Sequence, residues 1–335
     1  MRRLWVNSLM LHPSANRSLL FLACILAAPV YGQDSPCAIR EIPINVTDPA
    51  GVIVTDLNPA TFLAKVHGKP VQVLSVARDS RPRRIVILLD ASSSMTIEPI
   101  KWAMALRTAT ELLNAAPASD TFSLIVFTNA VQETVDFTQD RGSILTSLQK
   151  IERGKKALPK GTKGSTALWD AISAGATLLG SSTPGDVIYA ITDGDDNASE
   201  EKPSVIERTL LEKGIRLFGF FFDEGSIEMY PDHPTLIDVG TTLKDTGGVA
   251  VVLPRGKYLE SEYKLSNEQL ALLSRLLQSQ FKQIDQFYLL KIALAQDIQK
   301  PADLSLGFTP ANDRKLRALT LTYVDKISPC NSHSP

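Results

Sequence analysis

Two kinds of apolar pattern alternate through the middle of the chain. Short continuous apolar runs, such as residues 85–89, are typical of strands that are buried on both faces of a parallel sheet. Longer segments between them, such as 97–115 and 166–179, carry apolar residues at helical spacing. This alternation predicts an α/β domain over residues 83–283, with a doubly wound, mainly parallel sheet of the Rossmann-like kind.

The two ends of the chain carry a different pattern, in which short strand-like segments are separated by turn residues. Strands are predicted at residues 42–46, 52–54, 62–66, 71–76, 287–294, 304–308 and 316–324. A segment of fewer than about 50 residues makes a marginal core by itself. We therefore expect residues 33–82 and 284–335 to fold together as one small β-sandwich, into which the α/β domain is inserted.

Residues 1–32 have the features of a secretory signal peptide. Arginines precede the apolar run 19–28, and small residues lead to Gly32. A transmembrane helix needs about 20 apolar residues, and this run is shorter. We therefore expect no transmembrane span in the mature chain. An uncleaved anchor or a misassigned start is the alternative. The signal predicts a secreted, periplasmic or cell-envelope-associated protein.

Removal of residues 1–32 would leave Cys37 and Cys330, one near each end of the mature chain. An even pair in an oxidising compartment favours a disulfide. The segments beside both cysteines are predicted strands of one sheet, which agrees with a bridge. Two unrelated thiols are the alternative.

Composition changes this picture little. The 335 residues are 44% hydrophobic and 21% charged, as in ordinary soluble domains, and the formal net charge is −1. No overall basic field and no nucleic-acid-binding motif are present in the sequence, so nucleic acid is not an expected partner.

Oxygen-bearing side chains stand where a site is expected in such a sheet. Asp90, Ser92 and Ser94 follow the strand at 85–89, Thr166 opens a later helical segment, and Asp193 follows another buried strand. Ligands of open α/β sheets bind at the carboxyl ends of the strands. Oxygen donors suit Mg²⁺, Mn²⁺ or Ca²⁺. Alternatively, these residues are turn formers and helix N-caps.

The order D-x-S-x-S, threonine and T-D-G resembles the metal-ion-dependent adhesion site (MIDAS) of the von Willebrand factor type A domain. The chain matches all five positions, at Asp90, Ser92, Ser94, Thr166 and Asp193. The resemblance implies that both serines bind Mg²⁺ directly, that Thr166 binds it directly or through water, and that the two aspartates hold it partly through water. Mn²⁺ and Ca²⁺ are alternative ions. The inserted arrangement resembles the VWFA-related proteins of Acidobacteria.

The resemblance implies a non-catalytic protein-binding module whose divalent cation captures a carboxylate of a protein partner. Adhesion, scaffolding and envelope assembly all fit such a role. A metal-stabilised structural domain and a hydrolase are the alternatives. His67, His233 and His333 have no catalytic context, and a hydrolase with Asp90 as nucleophile would want a second acid where Ser92 stands.

Overall fold

The computed structural model describes residues 37–152, 165–223, 234–254, 266–309 and 314–329. The strands in this part of the chain are β1 (Ile39–Thr47), β2 (Phe62–Val66), β3 (Lys69–Arg78), β4 (Arg84–Asp90), β5 (Thr121–Phe127), β6 (Val131–Thr138), β7 (Val187–Thr192), β8 (Arg216–Asp223), β9 (Ala250–Pro254), β10 (Tyr288–Ala293), β11 (Ala302–Phe308), β12 (Thr320–Tyr323) and β13 (Lys326–Ile327). The helices are α1 (Ser93–Thr96), α2 (Pro99–Ala115), α3 (Arg141–Glu152), α4 (Leu168–Leu179), α5 (Pro203–Lys213), α6 (Pro234–Asp245), α7 (Asn267–Asp285) and α8 (Arg314–Arg317).

The middle of the chain forms a sheet whose described strands run in the order β6-β5-β4-β7-β8-β9. Neighbours from β5 to β9 are parallel, and the edge strand β6 is antiparallel to β5. The central strands β4 and β7 are buried along almost their whole length, which explains why their sequences are continuous apolar runs. The prediction of a doubly wound, mainly parallel sheet is confirmed.

Helices cover both faces of this sheet. The apolar sides of α2, α3 and α7 share a core with one face, and those of α4, α5 and α6 share a core with the other. α4 lies very close to the sheet at Gly175, where an added Cβ would stand 3.2 Å from Ile188 Cδ1 and 3.4 Å from Val86 Cγ1.

The two ends of the chain form a second sheet, which is antiparallel. Its described strands run in the order β12-β1-β10-β3-β2-β11-β13. β1, from the amino-terminal side, pairs with β10 and β12 from the carboxyl-terminal side, so both ends fold together as expected. Strands far apart in this order share one core that includes Ile44, Phe62, Leu304 and Ile327, because the sheet curls around it.

A buried polar cluster joins the two sheets. The guanidinium of Arg216, at the start of β8, donates hydrogen bonds to Asn45 Oδ1 of β1 at 2.6 Å and to the Gly247 carbonyl at 3.0 Å. The amide nitrogen of Asn45 donates to the carbonyls of Gln283 and Gln286, both at 3.0 Å. Arg216 is only 1% exposed, so these contacts lie in the interior between the sheets.

Two predicted strands differ from the structure. The segment 52–54 pairs only through a bridge between Ile53 and Thr47, because the Asp48 carboxylate accepts hydrogen bonds from the backbone of Ala50 and Val52 and holds a turn. The strand predicted at 316–324 is wrong in its first part. There the helix formers of α8 make a helical turn, and β12 begins only at Thr320.

The predicted signal peptide at residues 1–32 and the half-cystine candidate Cys330 lie outside the described residues. The bridge between Cys37 and Cys330 therefore stays a prediction. Cys37 is 5% exposed, and Arg40 lines the same cavity as Pro329, the residue before Cys330. Within the described part of the chain, no helix has the length and apolar character needed to cross a membrane.

Candidate metal centre

Asp90 is the last residue of β4 and lies fully buried at the carboxyl edge of the sheet. Its Oδ1 accepts a hydrogen bond from the backbone N–H of Ser92 at 2.8 Å, and its Oδ2 accepts one from the Thr192 hydroxyl at 2.5 Å. Thr192 reaches it because β4 and β7 are parallel neighbours that end at the same level. The carboxylate therefore has a single fixed orientation.

The surroundings of Asp90 are unfavourable for a lone negative charge. Its pKa is raised to about 7, first by burial and then by the charge of Asp193, against the lowering effect of hydrogen bonds from Thr192 and Ser92. Two carboxylates held together in a buried place attract a cation, which would favour their ionised forms. A bound divalent cation would therefore offset the unfavourable surroundings of the ionised Asp90.

Ser92 and Ser94 bring two hydroxyls to the same edge. Their Oγ atoms lie 3.0 Å apart. Neighbouring ligands in an octahedron with bonds of about 2.1 Å are separated by about 3 Å, so the spacing fits Mg²⁺. Ser92 stands at the N-cap of α1, but its side chain makes no capping hydrogen bond, which disfavours the helix-cap alternative for this residue.

Thr166 lies just before α4 and is 2% exposed. Its backbone N–H donates to Asn197 Oδ1 at 2.9 Å, and its carbonyl accepts from the N–H groups of Asn197 and Ala198, both at 3.0 Å. The N–H of the next residue, Ala167, donates to the carbonyl of Thr128 after β5. These bonds fix Thr166 between the loop after β7 and the end of β5.

Asp193 follows β7 and is buried, with its side chain fully inaccessible. Its Oδ2 accepts a hydrogen bond at 2.9 Å from the ammonium of Lys101, which is also fully buried. Lys101 belongs to none of the motifs by which the sequence indicates a site. The available signal is its position on the inner face of α2, where residues three, four and seven places on (Met104, Ala105 and Thr108) are all buried.

The loop after Asp193 serves to cap α4. Asp196 accepts a hydrogen bond from the backbone N–H of Trp169 at 3.0 Å, and the Ser199 hydroxyl accepts one from the N–H of Asp170 at 3.1 Å. Ala167, the N-cap residue of α4, has no side chain that could do this. Asn197 and Asp196 therefore position Thr166 and the start of α4, through partners that lie about thirty residues away in the chain.

The donors of this site are oxygen atoms from two carboxylates and several hydroxyls, held at one edge of the sheet. No cluster of three or more histidine, cysteine, aspartate or glutamate side chains suited to a metal occurs among the described residues. Such a donor set fits a hard divalent ion better than zinc or copper. The hydroxyl spacing and the buried carboxylates agree with an octahedral ion at this place.

Residues 85–195 match the family model of the von Willebrand factor type A domain. The match spans β4 to the loop after β7 and includes all five candidate ligands. Together with the sheet order, it gives this part of the chain the α/β fold expected from the resemblance. No curated protein matches the chain.

Several solved structures resemble the chain in part. The conserved hypothetical protein BatB from Bacteroides thetaiotaomicron is 21% identical, with a TM-score of 0.40, over 58% of this chain and 96% of that one. A von Willebrand factor type A protein from Catenulispora acidiphila is 11% identical, with a TM-score of 0.42, over 90% and 76%. Proximal thread matrix protein 1 from the mussel byssus, with a zinc-occupied MIDAS motif, is 13% identical, with a TM-score of 0.45, over 64% and 49%.

Proposed function

We propose that this protein is a non-catalytic binding module that uses a divalent cation, Mg²⁺ first among candidates, to capture a carboxylate of a protein partner. The residues that would hold the ion are Asp90, Ser92, Ser94, Thr166 and Asp193. The observation that carries the proposal is the pair of serine hydroxyls 3.0 Å apart beside the buried Asp90. Mn²⁺ and Ca²⁺ are the alternative ions.

The donor set explains why such a site would favour an acidic partner. Hydroxyls are neutral and do not offset the charge of a divalent cation as carboxylates do. When bound, the ion would supply an electrophilic coordination position for an outside carboxylate, and such charge-assisted contacts are strong where water is excluded. Asp90 is turned toward Thr192 and Ser92, so its orientation does not depend on the partner.

The biological setting that we propose is secretion to the periplasm or the cell envelope, on the basis of the signal-like residues 1–32. Adhesion, scaffolding or envelope assembly would each use a protein surface that presents an acidic residue. No role in nucleic-acid binding is proposed, because the net charge is −1.

Calorimetric titration with Mg²⁺ alone tests the metal centre. We expect the unaltered protein to bind one ion and Asp90→Ala to lose binding at least tenfold, because a buried carboxylate beside the ion is removed. Asp136→Ala, at an exposed aspartate of β6, is the matched control and should leave the affinity unchanged. An equal Mg²⁺ affinity in Asp90→Ala would overturn the assignment.

A metal-stabilised structural domain is the second candidate. The ion pair between Lys101 and Asp193 argues against it, because this pair supplies a positive charge to the site without any metal. A chelator separates the two functions. If the protein is a binding module, EDTA should abolish partner capture and change the melting temperature little; a collapse of the melting temperature would favour the structural role.

A further inference from the structure

Lys101 is a buried lysine whose ammonium group lies within the candidate metal centre. Its Nζ donates hydrogen bonds to Asp193 Oδ2 at 2.9 Å and to the backbone carbonyl of Ser94 at 3.0 Å. It also lies 6.0 Å from the ring centroid of Phe222, on β8. The side chain is 0% exposed, so no part of it is in contact with solvent.

An ammonium group is buried at a high cost in free energy unless partners compensate for its lost hydration. Two of the contacts named above, with the Ser94 carbonyl and the Phe222 ring, involve no atom that is proposed to hold the metal. The position of the ammonium is therefore built by the fold itself and does not depend only on the shared carboxylate of Asp193.

The charge of Lys101 changes the electrostatics of the site. With both carboxylates ionised, Asp90 and Asp193 alone would give a charge of −2, and Lys101 reduces it to −1. A divalent ion would also approach against the repulsion of a fixed positive charge that no solvent screens at this depth.

We propose that Lys101 is a built-in cation of this centre, which shares Asp193 with the divalent ion and lowers the affinity of the site for that ion. This inference rests on the proposed function, since it assumes that the centre takes a metal. It also gives the metal-free site a counter-charge, so that the domain is folded both with and without the ion.

Calorimetric titration with Mg²⁺ alone tests this role of Lys101. Lys101→Met removes the charge and keeps most of the side-chain volume, and we expect it to bind Mg²⁺ at least tenfold more tightly than the unaltered protein. Lys101→Gln keeps an amide donor for the Ser94 carbonyl and should also bind more tightly, so it carries the comparison if Lys101→Met does not fold. Arg107→Met removes a positive charge from the partly exposed outer side of α2 and should leave the affinity unchanged.

Thermal melting gives a second readout. Metal-free Lys101→Met has two buried carboxylates without their counter-charge, so Mg²⁺ should raise its melting temperature more than it raises that of the unaltered protein. An equal or smaller rise would contradict the proposal.

The outcomes separate this inference from the proposed function. Equal or weaker Mg²⁺ binding in both Lys101 variants, with clear binding in the unaltered protein, would overturn the role of Lys101 and leave the metal centre standing. Absence of Mg²⁺ binding in the unaltered protein and in both variants would overturn the metal centre and the role of Lys101 together.

Discussion

Asn197 shows how single residues place the candidate ligands. Its side-chain oxygen accepts the backbone N–H of Thr166, and its own N–H donates to the Thr166 carbonyl. One asparagine thus holds both polar groups of the Thr166 backbone. Thr166 belongs to no helix or strand, so the position of its backbone depends on contacts of this kind.

Replacement of Asn197 tests this dependence. We expect Asn197→Ala to weaken Mg²⁺ binding by about 10- to 100-fold, as is usual when a group that orients a metal ligand is removed. Calorimetric titration measures the change. Asn58→Ala makes the same chemical change at the exposed cap of a short 3-10 helix, Pro59–Thr61, which precedes β2, and should have no effect on the metal. An affinity unchanged in Asn197→Ala would show that Thr166 needs no such support.

At this scale the sequence indicated all five candidate ligands but not Lys101. Asp90 and Asp193 were predictable, because a carboxylate directly after a continuous apolar run stands at the carboxyl edge of the sheet. Lys101 was not predictable, because its contact with Asp193 depends on how α2 lies against the loop after β7. Its position on the apolar face of a helix was the one sign in the sequence that Lys101 is buried.

Among the elements, α4 packs close against the central sheet at Gly175. Gly175 lets the helix backbone approach the side chains of Ile188 and Val86, as an added Cβ there would lie 3.2 Å from Ile188 Cδ1. Since Thr166 lies two residues before the first residue of α4, the depth of this helix also affects the position of Thr166.

Gly175→Leu should push α4 away from the sheet and destabilise the protein by about 1–3 kcal/mol, the usual effect of overpacking a core. Urea unfolding followed by tryptophan fluorescence measures it, since Trp169 lies on α4. Gly240→Leu is the matched control, because Gly240 of α6 has no atom within 4 Å of an added Cβ. Equal stabilities in the two variants would contradict the close contact.

The strands of the α/β domain were predictable because burial on both faces leaves a continuous apolar signature, as in β4 and β7. Short segments near the chain ends were predicted less well. The Asp48 turn reduces the strand at 52–54 to one bridge, and the helical turn of α8 replaces the start of another strand. In both cases local hydrogen bonding prevailed over an apolar pattern that spans only a few residues.

In the whole molecule, the chain crosses from the antiparallel sheet into the α/β domain near Asp79 and returns near Asp285. Arg83 joins the two crossings, since its Nη2 donates to the carbonyls of Asp79 at 3.0 Å and Asp285 at 2.9 Å. Its Nη1 also lies 3.3 Å from Asp79 Oδ2, and both side chains are 2% exposed. The crossings are therefore fixed to each other by one buried arginine.

Asp79→Asn tests the contribution of this junction. Burial alone would raise the pKa of Asp79, but hydrogen bonds from Arg81 and the charge of Arg83 lower it below its ordinary value. A carboxylate with a lowered folded pKa stabilises the protein above its unfolded pKa of about 3.9, and this contribution is lost as the pH falls through the folded pKa.

We therefore expect Asp79→Asn to lower the free energy of unfolding by about 3 kcal/mol at pH 7, as when one partner of a buried ion pair is removed. The difference from the unaltered protein should shrink as the pH falls to 3, and urea unfolding at both pH values measures it. A difference that is constant with pH would mean that the charge of Asp79 does not stabilise the junction. The exposed Asp136→Asn serves as control.

It was predictable that the two chain ends fold together, because the amino-terminal segment is too short to form a core alone. The contacts that fix the two sheets to each other were not. Arg216 and Asn45 stand 171 residues apart in the chain, and neither carries a local pattern that indicates a partner. Such buried polar pairs become visible only when the fold places them together.

The most direct test of the metal centre is a crystal structure of the protein grown with MnCl₂, in which anomalous scattering locates the ion. We expect one peak within direct coordination distance of the Ser92 and Ser94 hydroxyls, beside Asp90, Asp193 and Thr166. The ammonium of Lys101 should still contact Asp193. A manganese position elsewhere, or no peak at this edge of the sheet, would show that these side chains do not form a metal centre.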